Sequence, residues 1–317
     1  MATILVTGAS GFVGSWFVPA LADAGHQVRA LVRDAAAGGI VSARLAAGQR
    51  GSVSTVIGDV TSRESLGTAI DGADAVVHLV ALPRDRSGGR DLMRVNLGGT
   101  RNIITAMEKA GVRRLIHQGA LGVTDDATLH YARSKAQAEA AVSTSGLEWT
   151  ILKPSLLFGE RDGFFNIIAD LVRPPLGAVP VPARQRSLFQ PLWIGDLARI
   201  LVDVVSRSDT VGRSYELGGP DRLTYRQMVQ AVISAMGARR VIVPVPLTLI
   251  KLVARASEAL RLPFPVASDQ LRQLSFDNIT ALDSVEREFG FRPRALTGGL
   301  AHLQRRAKQH DPATRGR

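Results

Sequence analysis

Over the first 150 positions, two hydrophobic rhythms alternate. Short continuous apolar runs stand at 3–7, 27–32, 53–58, 75–80, 114–118 and 149–152. Runs of this length predict strands buried on both faces. Between them, 12–24, 62–70, 91–110 and 129–143 repeat apolar side chains every three to four residues, the spacing of a helix with one dry face. Strand and helix in strict alternation predict an α/β chain with a doubly wound parallel sheet. Right-handed crossovers then put a ligand crevice at the carboxyl ends of the strands. After Pro154 the rhythm breaks. Pro174, Pro175, Pro180 and Pro182 punctuate a loop-rich stretch. A short run at 187–191, a helix over 195–206, a strand at 214–217 and a helix opening at Thr224, a good N-cap residue, follow. The expected organisation is 1–152 as the sheet domain and 153–300 as a smaller C-terminal α/β lobe, interleaved with the first and closing over the crevice. Residues 301–317 are expected to be a disordered basic tail.

Between the first strand and the first helix lie Gly8, Ala9, Ser10, Gly11, Phe12, Val13 and Gly14. Glycine at 8 permits a tight turn, at 11 lets a pyrophosphate approach the backbone, and at 14 lets helix and strand pack closely. The helix N-terminus adds free N–H groups and partial positive charge. This makes the sheet Rossmann-type and expects Gly8, Ser10, Gly11, Phe12, Val13 and Gly14 to hold NAD(P). Cofactor choice turns on the end of the second strand. Arg33 stands where a 2′-phosphate would be met, and Asp34 follows it. Arg33 favours NADP(H) over NAD(H); the alternative is a solvated charge closing the strand. Asp59, after the third strand, is placed either to bond the adenine amino group or to cap a helix.

Tyr131 and Lys135 are four apart on a predicted helix and share a face. An ammonium beside a phenol lowers the phenol's pKa, which suits acid–base work near neutrality. With three tyrosines and five lysines in 317 residues, the spacing is uncommon by chance.

Composition then narrows the field. There is no cysteine, which excludes disulfides, thiolate metal sites and cysteine nucleophiles. The six histidines show no metal-ligand spacing, and no metal is expected. The net charge is +11, mostly arginine scattered along the chain. A local run, Arg305, Arg306, Lys308, Arg315 and Arg317, reads as a solvated tail, with membrane or partner docking as the minority reading. No helix-turn-helix or basic stripe supports specific nucleic-acid binding. The most apolar segment, 241–254, is interrupted by Pro244, Pro246 and Lys251. No signal peptide is read, and the expected place is the cytoplasm, or the inner face of a membrane as a peripheral protein.

The glycine turn, the Tyr131/Lys135 pair and the run Asn96-Leu97-Gly98-Gly99-Thr100-Arg101-Asn102 resemble the short-chain dehydrogenase/reductase superfamily. More narrowly they resemble its extended and atypical branch, with the NAD-dependent epimerase/dehydratases. The stretches 77–81 and 152–155 are similar to that branch's cofactor-contacting strand ends, which implies contacts from Val80, Ala81 and Pro154. In the C-terminal half, 189–198, 215–220 and 243–247 resemble a subgroup that includes the nucleotide-holding accessory subunit of respiratory complex I and its bacterial relatives. The resemblance implies Tyr131 as catalytic acid/base, Lys135 on the nicotinamide ribose and Asn96 supporting the active-site helix. It also implies a Ser or Thr at the end of the fifth strand, where this chain has Gly119. Two functions follow as expectations. One is an NADP(H)-dependent oxidoreductase or epimerase on a small carbonyl or sugar-like substrate, its pocket near Leu82, Phe158, Phe164, Phe165 and Trp193, with lobe core as the plainer reading of the aromatics. The other is a weakly catalytic or non-catalytic cofactor holder, associated with a membrane complex, or a redox sensor.

Overall fold

β1 (Thr3–Thr7) buries Ile4 to Thr7 completely and delivers the chain to the glycine turn. α1 (Gly14–Asp23) begins only after that turn, two residues later than its apolar spacing suggests. β2 (Gln27–Val32), α2 (Ala35–Ser42), β3 (Val53–Ile57), α3 (Gly67–Ile70) and β4 (Ala75–His78) continue the alternation. The helix expected over 62–70 is a 3₁₀ turn, Arg63–Ser65, followed by one α-turn. A second helical stretch opens with α4 (Arg90–Leu92), passes through a π-helical segment, Met93–Gly98, and ends as α5 (Gly99–Ala110). β5 (Arg114–Gln118), α6 (His130–Ser143) and β6 (Glu148–Pro154) complete the run.

The computed structural model describes residues 1–85, 87–174, 177–183, 186–246, 248–249 and 276–304. The basic run Arg305, Arg306, Lys308, Arg315 and Arg317 lies outside them, as do Leu247 and Lys251. Among the described residues no helix is long and apolar enough to cross a membrane.

The chain divides into two units, 1–154 with 194–216, and 155–193 with 217–317. In the first, strands β1 to β6 pair in parallel in the order 6-5-4-1-2-3. The order reverses between β1 and β4, the switch point beside which ligands sit in such sheets. This unit is a Rossmann-type α/β sheet, as the alternation predicted.

Two elements assigned by sequence to the C-terminal lobe belong here instead. α8 (Ile194–Ser206) packs on α1, burying Leu197, Ile200, Leu201 and Val204. β11 (Arg213–Leu217) adds the seventh strand, beside β6. A boundary at 152 therefore misplaces 194–216. An amphipathic helix goes where a dry face awaits it, whatever its place in the chain.

The second unit holds β7 (Leu157–Phe158), α7 (Phe165–Val172), β8 (Ala178–Pro182), β9 (Leu188–Phe189) and β10 (Leu192–Trp193). It also holds β12 (Leu223–Thr224), α9 (Tyr225–Ala235), β13 (Val241–Val245), α10 (Ser284–Phe289) and α11 (Leu296–Gly299). Its strands pair two by two, β10 with β7 and β13 with β8 in parallel, β12 with β9 antiparallel. Thr224 caps α9 as expected, accepting from the Gln227 N–H at 3.3 Å. Phe158, Phe165, Ile168, Val172, Met228 and Val232 form the core. Phe158 and Phe165 are fully buried and meet edge to face, Phe164 meets Tyr225 likewise, and Arg294 lies 3.6 Å over the Trp193 ring. The aromatics suggested as pocket lining are thus largely core of this unit.

Candidate cofactor and acid–base site

Gly8 takes φ +71°, and a Cβ there would fall 3.0 Å from the backbone of Leu79 and Val80. The turn lies against the segment leaving β4. The Gly11 N–H donates to the Gly8 carbonyl at 3.0 Å, closing the turn. A Cβ at Gly14 would fall 2.4 Å from the Gly8 oxygen and 2.5 Å from that of Ala9, so α1 can start here only on glycine. Gly11 is exposed, with Ser10, Phe12 and Val13 half-buried beside it. No side chain caps α1. An exposed bare-backbone turn leading into an uncapped helix of 10 residues fits a diphosphate. Val80 is half-buried, Ala81 exposed, and the Pro154 carbonyl accepts from the Leu121 N–H at 3.0 Å.

At the end of β2 the two charges separate in role. Asp34 is the N-cap of α2, its Oδ1 accepting from the Ala37 N–H at 2.8 Å. Arg33 is exposed. Asp59 does not cap a helix: its Oδ1 accepts from the N–H and hydroxyl of Thr61, both at 2.8 Å. Partial burial works to raise its pKa, but the Thr61 bonds and the charges of Arg33 and Arg94 outweigh it, and the net shift is downward. Arg33 therefore acts electrostatically on the same corner of the sheet as Asp59.

On α6, Tyr131, Lys135 and Glu139 are spaced by four and share one face. Lys135 is buried and its Nζ donates to the Gln118 carbonyl at 2.5 Å. Burial pulls its pKa down to about 8, against the opposing pull of Glu139. The expected depression of the Tyr131 pKa is not found. Burial pushes the phenol up to about 12, and the Glu139 charge adds to the rise.

Gly119 has a reason of its own. A Cβ there would fall 2.3 Å from Glu139 Oε1 and 3.2 Å from Ile151 Cγ2. That carboxylate accepts from the Ala120 N–H at 3.0 Å and pairs with Lys153 Nζ at 3.2 Å. The space behind position 119 is filled by Glu139, a residue the sequence reading passed over. Its signal was present, since it continues the Tyr131/Lys135 spacing by one more turn.

A buried polar line joins the glycine turn to α6. The Thr100 hydroxyl donates to the Asn96 carbonyl at 2.6 Å, so it accepts from His78 Nε2 at 3.1 Å. His78 Nδ1 then accepts from the Thr7 hydroxyl at 2.7 Å. The Asn96 side chain donates to the Ser134 hydroxyl at 2.9 Å and grips both the N–H and the carbonyl of Leu82. Asn96 supports α6 as expected. Burial, then the Lys135 charge, lowers the His78 pKa to about 3, so the ring stays neutral.

A protein-family model described as NAD(P)H-binding matches residues 8–173. The chain is 28% identical over 290 residues to the mitochondrial NADH dehydrogenase (ubiquinone) 1 alpha subcomplex subunit 9 of Arabidopsis thaliana, covering 87% of this chain and 68% of that one. With the Mus musculus protein of the same name the figures are 29% over 248 residues, 77% and 63%. The chain thus spans about two thirds of the length of these relatives. With the NAD(P)H azoreductase of Xenophilus azovorans it is 29% identical over 240 residues, 74% of each. Among solved structures, the Thermus thermophilus UDP-glucose 4-epimerase complex with NAD superposes with a TM-score of 0.71 at 21% identity, over 97% of this chain and 99% of that one.

Proposed function

From the premise that the chain belongs to the NAD(P)H-binding family and carries the short-chain dehydrogenase/reductase fold, we propose that it is an NADP(H)-dependent oxidoreductase or epimerase acting on a small carbonyl or sugar-like compound. The observation that carries this reading is the buried Lys135 beneath Tyr131 on α6, in the same unit as the glycine turn. The chemistry supplied at this site with NAD(P)H bound would be hydride exchange with an electrophilic carbon. Ser10 to Gly14 would hold its pyrophosphate, with Val80, Ala81 and Pro154 beside it and Lys135 on its ribose. With a pKa near 12, Tyr131 is protonated at neutral pH. It is therefore set to give its proton to the oxygen of a carbonyl being reduced, with the Lys135 charge stabilising the phenolate left behind. NADP(H) is favoured because Asp34 is committed to capping α2 while Arg33 is exposed.

The test is turnover of a carbonyl and sugar-nucleotide panel alongside calorimetric titration of NADPH. Tyr131→Phe should abolish turnover while leaving NADPH affinity within about twofold. Turnover untouched by Tyr131→Phe would reject the acid–base assignment. A second reading, a cofactor holder that joins a membrane-associated complex in the cytoplasm, is favoured by Gly119, which offers substrate no hydroxyl. It takes over if NADPH binds and nothing in the panel turns over.

A further inference from the structure

Glu139 is 7% exposed, deep for a carboxylate. Its two oxygens go to the Ala120 N–H and the Lys153 ammonium. It reaches them through the space a side chain on residue 119 would fill. Gly119 and Glu139 are thus a matched pair, and the carboxylate enters because position 119 is bare. Lys135, one helical turn away, is buried more deeply than Lys153 and bonds to a neutral carbonyl. A buried ammonium needs a counter-charge. The groups facing it offer little else. His78 from β4 and His117 from β5 are neutral, both held so first by burial. Lys153 from β6 is a like charge. On the helical stretch packed against α6, Arg94 and Asp91 pair with each other at the surface. Among the described residues, Glu139 is the carboxylate that acts on Lys135.

We propose that Glu139 is a positioning residue of this site, acting through Lys135: seated in the space left by Gly119, it keeps the Lys135 ammonium charged and pins the end of β5 through Ala120. The proposal rests on the reading that Tyr131 and Lys135 form the acid–base pair. The seat of Glu139 is built from three separated stretches of chain, and its hydrogen bond and ion pair go to Ala120 and Lys153 rather than to Tyr131 or Lys135.

The test is direct titration of lysine. The full chain has five lysines, so labelling their Cε carbons with ¹³C gives five resolvable signals, with Lys135 assigned by Lys135→Arg. In the free protein its midpoint is expected at about 8. Glu139→Gln should move the midpoint down by about one pH unit, because an opposite charge is removed. A midpoint that stays in place overturns the proposal. Lys153→Met removes a competing cation and should move it up. If Glu139→Gln does not fold, Lys153→Met decides alone, and an unmoved or lowered midpoint overturns the proposal. NADPH affinity followed over the same pH range tests the underlying reading separately. Affinity lost at the lysine midpoint in each variant supports both. A lysine midpoint that shifts as expected in a chain that binds no NADPH upholds the coupling of Glu139 to Lys135 and rejects the cofactor reading beneath it.

Discussion

A methyl group at Gly14 would collide with two carbonyl oxygens, whereas at Gly11 its nearest neighbour is the Gly8 oxygen at 3.1 Å. Gly14→Ala should therefore cost about 1–3 kcal/mol, as overpacking does, and lose NADPH binding with it. Gly11→Val should melt closer to wild type than Gly14→Ala yet fail to bind, since its Cβ crowds one carbonyl oxygen and its methyls stand in the cofactor's approach. Calorimetric melting and titration of the two variants check the contrast. At Arg33, replacement by Ala should narrow the gap between NADPH and NADH affinity by about 1–3 kcal/mol, the range for a charge-assisted bond; equal wild-type affinities would reject the NADP preference. Gly119→Ser, which the family pattern suggests as an improvement, should instead destabilise. Its Cβ would displace Glu139 from the Ala120 N–H and from Lys153. Pairing it with Glu139→Ala should recover much of the lost melting temperature. The turn glycines and the Tyr131/Lys135 pair were legible because their meaning lies in local spacing. The fit of Glu139 to Gly119 was not, because it depends on a strand end and a helix twenty positions apart coming together.

The helical stretch from Arg90 to Ala110 shows what periodicity misses at the scale of an element. Its apolar spacing predicts one helix, and the π-helical segment Met93–Gly98 inside it changes backbone bonding without breaking the rhythm. That segment carries Asn96, whose side chain holds Leu82 and Ser134 at once. The line from Thr7 through His78 and Thr100 is equally hidden from the sequence, since its members come from separate elements. Thr100→Val keeps the shape but leaves His78 Nε2 buried and without an acceptor. It should cost about 1–3 kcal/mol and speed amide exchange at the first turn of α6, measured by hydrogen exchange on the folded protein. Unchanged exchange there would show that the line does not brace the helix.

For the molecule as a whole, the buried histidines set a pH window. His78 titrates near 3 and His117 well below its ordinary value, both through burial first. The unfolded chain takes up these protons near pH 6.5 and the folded chain does not. The His78 contribution is fully present above pH 6.5 and is lost as pH falls towards 3, at about 1.4 kcal/mol per pH unit, and His117 adds a loss of the same sign below pH 6.5. Both ring nitrogens of His117 lack a partner among the described residues. His117→Phe therefore forfeits no hydrogen bond and should flatten the acid limb of the stability curve, seen by urea unfolding at pH 7 and pH 5. The return of 194–216 to the first unit bears on biosynthesis. A nascent chain that has reached residue 154 has six parallel strands, but β6 is then an open edge and α1 lies bare where α8 will rest. Residues 155–193 must emerge before that edge is closed. During this interval the half-made sheet is exposed to strand pairing with other chains, the usual route to aggregation. A ribosome pause while 155–193 are emerging would lengthen that exposure, and a pause after β11 (Arg213–Leu217) has emerged would come once β6 is paired.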